Sequence, residues 1–133
     1  MHTFDVRTHE RSQFVEITDE VRAVLAKTRV QSGVVTVYVP HTTAGVTINE
    51  NADPDVVHDI LLTLNRLVPR DATGYRHAEG NSDSHVKASL MGSSCQVLVD
   101  GGRLVLGTWQ GIYLCEFDGP RTRQVHVQII NNQ

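Results

Sequence analysis

From Thr3 to His9 the chain alternates apolar and polar residues with period two. Phe4 and Val6 fall on one side and Asp5 and Arg7 on the other, the pattern of a strand with one buried face. The following QFVEI (13–17) reads as its hairpin partner. The period then changes: Ile17, Val21, Val24 and Leu25 recur at helical spacing, Thr18 suits an N-cap, and Asp19 and Glu20 suit the positive end of a helix. A helix over 18–31 follows, with Gly33 as its stop. GVVTVYVP (33–40) is short and rich in β-branched residues, a buried strand stopped by Pro40. AGVTINE (44–50) is a second strand after a turn at His41–Thr43.

Residues 52–69 open with Asp53 as N-cap and Pro54 at the first helical position, and Val57, Ile60, Leu61, Leu64 and Val68 form an apolar stripe that ends before Pro69. Positions 70–83 are polar and contain glycine, a long loop. Ser82, Asp83 or Ser84 can then cap a short helix that stops at Gly92. The remainder is strand-like: CQVLVD (95–100), a Gly101-Gly102 hairpin turn, RLVLGTWQGIYLCEF (103–117), a turn in DGPRTR, and QVHVQII (124–130). This order predicts one α+β domain over 1–133, a two-layer sandwich with a mixed, mostly antiparallel sheet, two longer helices and one short one.

Composition narrows the function classes. A chain of 133 residues with net charge −3 carries no basic field for nucleic acid. No apolar run approaches the ~20 residues needed to span a bilayer, and the charged start lacks the apolar core of an export signal. Cys95 and Cys115 both lie in apolar segments and read as free core thiols, consistent with a reducing cytoplasm.

The candidate chemistry lies in three stretches. The first, YRHAEGNSDSHVKASLMG (75–92), crowds His77, Glu79, Asp83 and His85 together, which is either a solvated loop or one wall of a site. Its spacing matches no standard metal signature. In the second, His41 follows a buried strand, and Thr42, Thr43, Asn49, Glu50, Asn51 and Asp53 surround the next one. The threonines can bond their own turn and Asn51 and Asp53 can cap the following helix, whereas His41 has no comparable local role. In the third, Gly107 and Gly111 interrupt a strong strand around Trp109, the sole tryptophan, which reads as a packed wall or subunit contact.

Together HTTAGVTINENADP, YRHAEGNSDSHVKASLMGSS and GRLVLGTWQGIYLCEFDGPR resemble the YjbQ-like family, which carries the label of secondary thiamine-phosphate synthase. The resemblance covers nearly the whole chain. It implies a homotrimer with a partly buried metal site near a subunit boundary that contains the family histidines, carried by motif onto His41, His77 and His85, with Glu79 from the same loop. On that basis three neutral imidazoles would hold a divalent metal, zinc before magnesium, and leave one position open. Glu79 and Asp83 would act as catalytic carboxylates or tautomer-fixing acceptors. Asn49, Glu50, Lys87, Arg103 and Trp109 are candidate substrate contacts, with Arg121 as a further anion contact. The loop NSDSH is shorter than in many relatives, which bears on Asp83.

The activity so implied joins hydroxymethylpyrimidine diphosphate to thiazole phosphate and releases pyrophosphate. A Walker-type loop is absent from the sequence, and three histidines suit zinc better than magnesium. A small-anion or metabolite-binding module, a metal-dependent hydrolase and a trimeric scaffold are the alternatives.

Overall fold

A computed structural model describes residues 1–132. The elements in chain order are β1 (His2–Arg7), β2 (Gln13–Glu16), α1 (Thr18–Thr28), β3 (Ser32–Tyr38), β4 (Ala44–Glu50), α2 (Pro54–Leu67), α3 (Ser82–Met91), β5 (Ser94–Asp100), β6 (Arg103–Leu104), β7 (Gln110–Glu116) and β8 (Thr122–Asn131). Five strands form one sheet in the order β1-β8-β3-β5-β6, and three form a second in the order β2-β7-β4. Every strand pairing in the two sheets is antiparallel.

The two sheets face each other across a valine-rich core. The inward residues of β3, β5 and β8 (Val35, Val37, Val97, Val99, Val125, Val127) meet Ala44 and Val46 of β4 and Ile112 and Leu114 of β7. The apolar stripe of α1 closes this core: Ile17, Val21, Val24 and Leu25 are all buried. The opposite face of the small sheet is covered too. Phe14, Tyr113, Cys115 and Phe117 pack with Leu64 of α2 and Ala88 of α3. This explains why GIYLC in β7 is apolar without interruption, since alternate side chains enter two different cores. Both thiols are free.

Several boundaries differ from the sequence reading. β2 pairs with β7, not with β1, whose partner is β8. The hairpin was favoured by proximity in sequence, but residues 8–12 carry the chain from one sheet to the other. Helix α1 ends at Arg29, which itself takes the left-handed conformation (φ 57°), so Gly33 is free to enter β3 opposite Asn131. The run 103–117 is broken into a two-residue β6, a turn closed by the Gln110 amide donating to the Gly107 carbonyl, and β7. As expected, Asp53 caps α2 by accepting from the Asp55 amide at 2.9 Å, and the Gly101-Gly102 turn has positive φ at both residues.

Gly45 decides how closely α3 approaches β4. A Cβ there would lie 2.6 Å from the Gly92 carbonyl oxygen and 3.1 Å from Met91 Cβ. Gly45→Ala is therefore expected to push α3 outward and to cost about 1–3 kcal/mol, the usual range for overpacking. A urea midpoint equal to that of the wild type would contradict this packing.

Candidate functional site

His41 comes from the β3–β4 turn. β3 ends at Tyr38, just before Pro40, so the Gln124 amide of β8 meets the His41 ring in place of a β3 partner: Nε2 accepts from Gln124 N at 2.9 Å. A neutral imidazole that accepts at Nε2 carries its proton on Nδ1. Burial, and next the Arg123 cation, hold His41 below its ordinary pKa. The imidazole thus has a local role that its sequence context did not reveal.

His85 projects from the first turns of α3. With His41, Thr42, Ser89 and Ser93 it lines an open cleft of about 440 Å³ between the turn and the helix. His77 stands on the long loop with its ring edge-on to His85, centroids 5.3 Å apart, and its Nε2 lies 3.5 Å from Glu79 Oε2. His77 itself lines a second cleft with Arg70, Asp71 and Tyr75. The structure thus brings the three predicted histidines into one neighbourhood as His41, cleft, His85, His77.

The remaining predicted residues separate from that neighbourhood. Asp83 is fully buried and faces away from solvent, so it is not placed for the catalytic role expected of it. Its carboxylate accepts from Arg11 (3.0 and 3.1 Å) and from Lys87 Nζ (2.9 Å), while Lys87 also donates to Asn65 Oδ1 at 2.8 Å. Burial alone would raise the Asp83 pKa, but the bonds from Arg11 and Lys87 bring it down to about 2. Lys87, only 2 % exposed, is likewise an internal ion-pair partner and not a free anion contact. Asn49, Glu50 and Trp109 sit at the far end of the small sheet, where Glu50 pairs with Gln110, about 20 Å along β4 from Ala44 at ~3.4 Å per residue. Arg103 lines a different cleft, with Arg22 and Leu25 of α1. Arg121 is paired with Asp118 at 3.1 Å.

The sequence reading missed a second buried ion pair. Glu116 continues the inward alternation of Ile112 and Leu114, and Arg123 continues that of Val125 and Val127, so the two meet between the sheets. Arg123 donates through Nε (2.8 Å) and Nη2 to the Glu116 carboxylate, and through Nη2 to the Thr43 carbonyl (3.2 Å) and Oγ1 (2.8 Å). Thr8 Oγ1 and the Asp118 amide also donate to Glu116. Burial pulls the Glu116 pKa up, yet the Arg123, Asp118 and Thr8 bonds leave it lowered overall. The available signal was a charge at an inward period-two position in each strand.

A family model described as "UPF0047 protein YjbQ-like" matches residues 2–132. The chain belongs to the YjbQ-like UPF0047 family. YugU of Bacillus subtilis is 49% identical over 130 residues, covering 98% of each chain. MJ1081 of Methanocaldococcus jannaschii is 46% identical over 130 residues, covering 98% of this chain and 94% of its own. The crystal structure of a YjbQ/UPF0047 protein from Clostridium acetobutylicum superposes with a TM-score of 0.96 at 52% identity, covering 98% of this chain and all of the other.

The three-histidine metal set implied by the YjbQ resemblance can be tested against this geometry. Among the described residues no three His, Cys, Asp or Glu side chains are set together to hold a metal ion. His41 Nε2 already accepts a hydrogen bond from the Gln124 amide, so its lone pair is not free for a metal. Within one chain, as placed, these residues do not form the three-ligand set. No described helix is long and apolar enough to cross a membrane.

Proposed function

We propose that the cleft between the His41–Thr43 turn and α3 handles a small anionic, phosphorylated substrate. The joining of hydroxymethylpyrimidine diphosphate to thiazole phosphate is then a secondary activity of that cleft. The observation that supports this reading most is that His41 and His85 line one cleft from two elements, with the His77 ring against His85. Departure of pyrophosphate needs proton donors and hydrogen bonds where negative charge develops. His77 and His85 each carry an imidazole N–H, His41 offers Nδ1–H, and Thr42, Ser89 and Ser93 carry hydroxyls. Glu79, beside His77, is the carboxylate available to orient that ring or accept a proton.

A second reading adds a divalent metal, zinc before magnesium, and is favoured by the His77–His85 contact. It needs a third ligand, from a neighbouring copy in a homotrimer. Bound there, the metal would supply a Lewis acid for the leaving group. Self-association would also cover the outer face of the large sheet. Val34, Leu98 and Ile130 lie there in adjacent register, and Leu98 and Ile130 are about 60% exposed (62% and 60%).

The test is pyrophosphate release from the two thiamine precursors by untagged protein, with elemental analysis of the same sample. His85→Gln is expected to lower turnover by about 100-fold or more, the usual scale for losing an acid–base group. Absence of product from the wild type, or an unimpaired His85→Gln variant, would remove the enzymatic reading. Stoichiometric zinc that disappears in His77→Gln would favour the metal form of it.

A further inference from the structure

We propose that Arg123 is a positioning residue for His41, and that it acts with the adjacent Gln124 amide to fix His41 as its Nδ1–H tautomer, a hydrogen-bond donor to the cleft and not a metal ligand. The use of that donor rests on the cleft reading above; the tautomer itself does not.

Two neighbouring residues of β8 hold the turn from two sides. The inward side chain of Arg123 reaches the carbonyl and hydroxyl of Thr43, two residues beyond His41. The backbone N–H of Gln124 reaches the imidazole itself. The guanidinium cannot shift freely, because Glu116 engages it through two nitrogens, and Glu116 is fixed in turn by Thr8 and the Asp118 amide. Every one of these groups except the imidazole and the Gln124 and Asp118 amides lies on a residue that is 5 % exposed or less. Such a buried network, with the guanidinium held through Nε and Nη2, gives the turn one geometry.

The tautomer follows from that geometry. A proton on Nε2 would set two N–H groups against each other, so the bond from Gln124 selects the form with Nδ1 protonated and Nε2 bare. The charged groups that face His41 are Arg123 and Arg121, which oppose protonation of the ring, and Glu116, which favours it. His85 lies across the cleft. A second-layer residue that fixes which ring nitrogen carries the proton decides what the ring can do.

Long-range ¹H–¹⁵N spectra of the full chain labelled at histidine, recorded about one unit above the ordinary imidazole pKa, test this without any ligand. The His41 signals are assigned by their loss in His41→Gln. The wild type is expected to show a single neutral His41 tautomer with bare Nε2. Arg123→Lys keeps the charge but loses the fork, and should lose that single tautomer while His77 and His85 keep their patterns. Thr43→Val removes only the hydroxyl contact and should produce a smaller change in the same sense; if Arg123→Lys does not fold, this variant decides. A merely structural role would lower the melting temperature and leave the tautomer unchanged. An Nε2–H tautomer in the wild type, or a wild-type pattern in every folded variant, overturns the proposal. A failed turnover assay would not, so the two readings fail separately.

Discussion

Asp83→Ala should lower the stability of this protein by about 3–5 kcal/mol, the range for removing one partner of a buried ion pair. The loss comes less from the bonds removed than from what is left behind. Lys87 would keep a buried ammonium with only the Asn65 side-chain oxygen to meet it, and Arg11 would lose both of its carboxylate contacts. Urea unfolding at neutral pH checks this, with the midpoint shifted and the slope unchanged. Pairing Asp83→Ala with Lys87→Met should recover part of the loss, because the stranded charge is gone. A single variant within 1 kcal/mol of the wild type would mean that Asp83 does not anchor α3.

The same carboxylate sets an acid limit. Its pKa is lowered from 3.8 to about 2 by Arg11 and Lys87 against the effect of burial. Below 3.8 the unfolded chain therefore binds more protons than the folded one. The stabilisation is complete above that value and is lost as pH falls towards 2, by about 2 kcal/mol in all. The acid limb of Asp83→Asn should be correspondingly flatter.

Arg123→Met is expected to have an effect of similar size for a different reason. It leaves the Glu116 carboxylate between two sheets with only the Thr8 hydroxyl and the Asp118 amide as donors. It also leaves the Thr43 carbonyl without its guanidinium. A loss of about 3–5 kcal/mol is expected, read again from the urea midpoint. Arg123→Met combined with Glu116→Leu should return close to wild-type stability, since replacing both members of a buried pair by apolar groups is often near neutral. Recovery in the double variant together with a disordered His41 turn would separate the energetic role of the pair from its geometric one. A single variant as stable as the wild type would remove both roles.

The elements themselves were largely legible because they rest on local patterns. The stripe Ile17, Val21, Val24, Leu25 and the Asp53-Pro54 start of α2 each fall within one element, and both were found where the pattern placed them. What was not legible depends on residues far apart in the chain. Asp83 and Lys87 are spaced i, i+4 and could have been read as a helix pair. Their burial, however, is completed by Arg11, which lies 72 residues away in sequence. His41 lacked a local role only because its partner, Gln124, is on β8. Asn49 and Glu50 were grouped with it through one contiguous motif, yet a strand of seven residues holds the two ends of that motif about 20 Å apart. The histidines of the 75–92 stretch were recognisable because His77 and His85 come from one loop and the helix that follows it.

One consequence of the layering concerns misfolding. The uninterrupted apolar run of β7 is the kind of sequence that recruits identical copies edge to edge. Here β2 and β4 occupy both of its edges, and a core covers each of its faces. Fraying of the chain ends or of the exposed 70–80 loop does not uncover it. Self-templating through this segment therefore requires cooperative opening of the small sheet, and its rate should follow global unfolding and not local breathing.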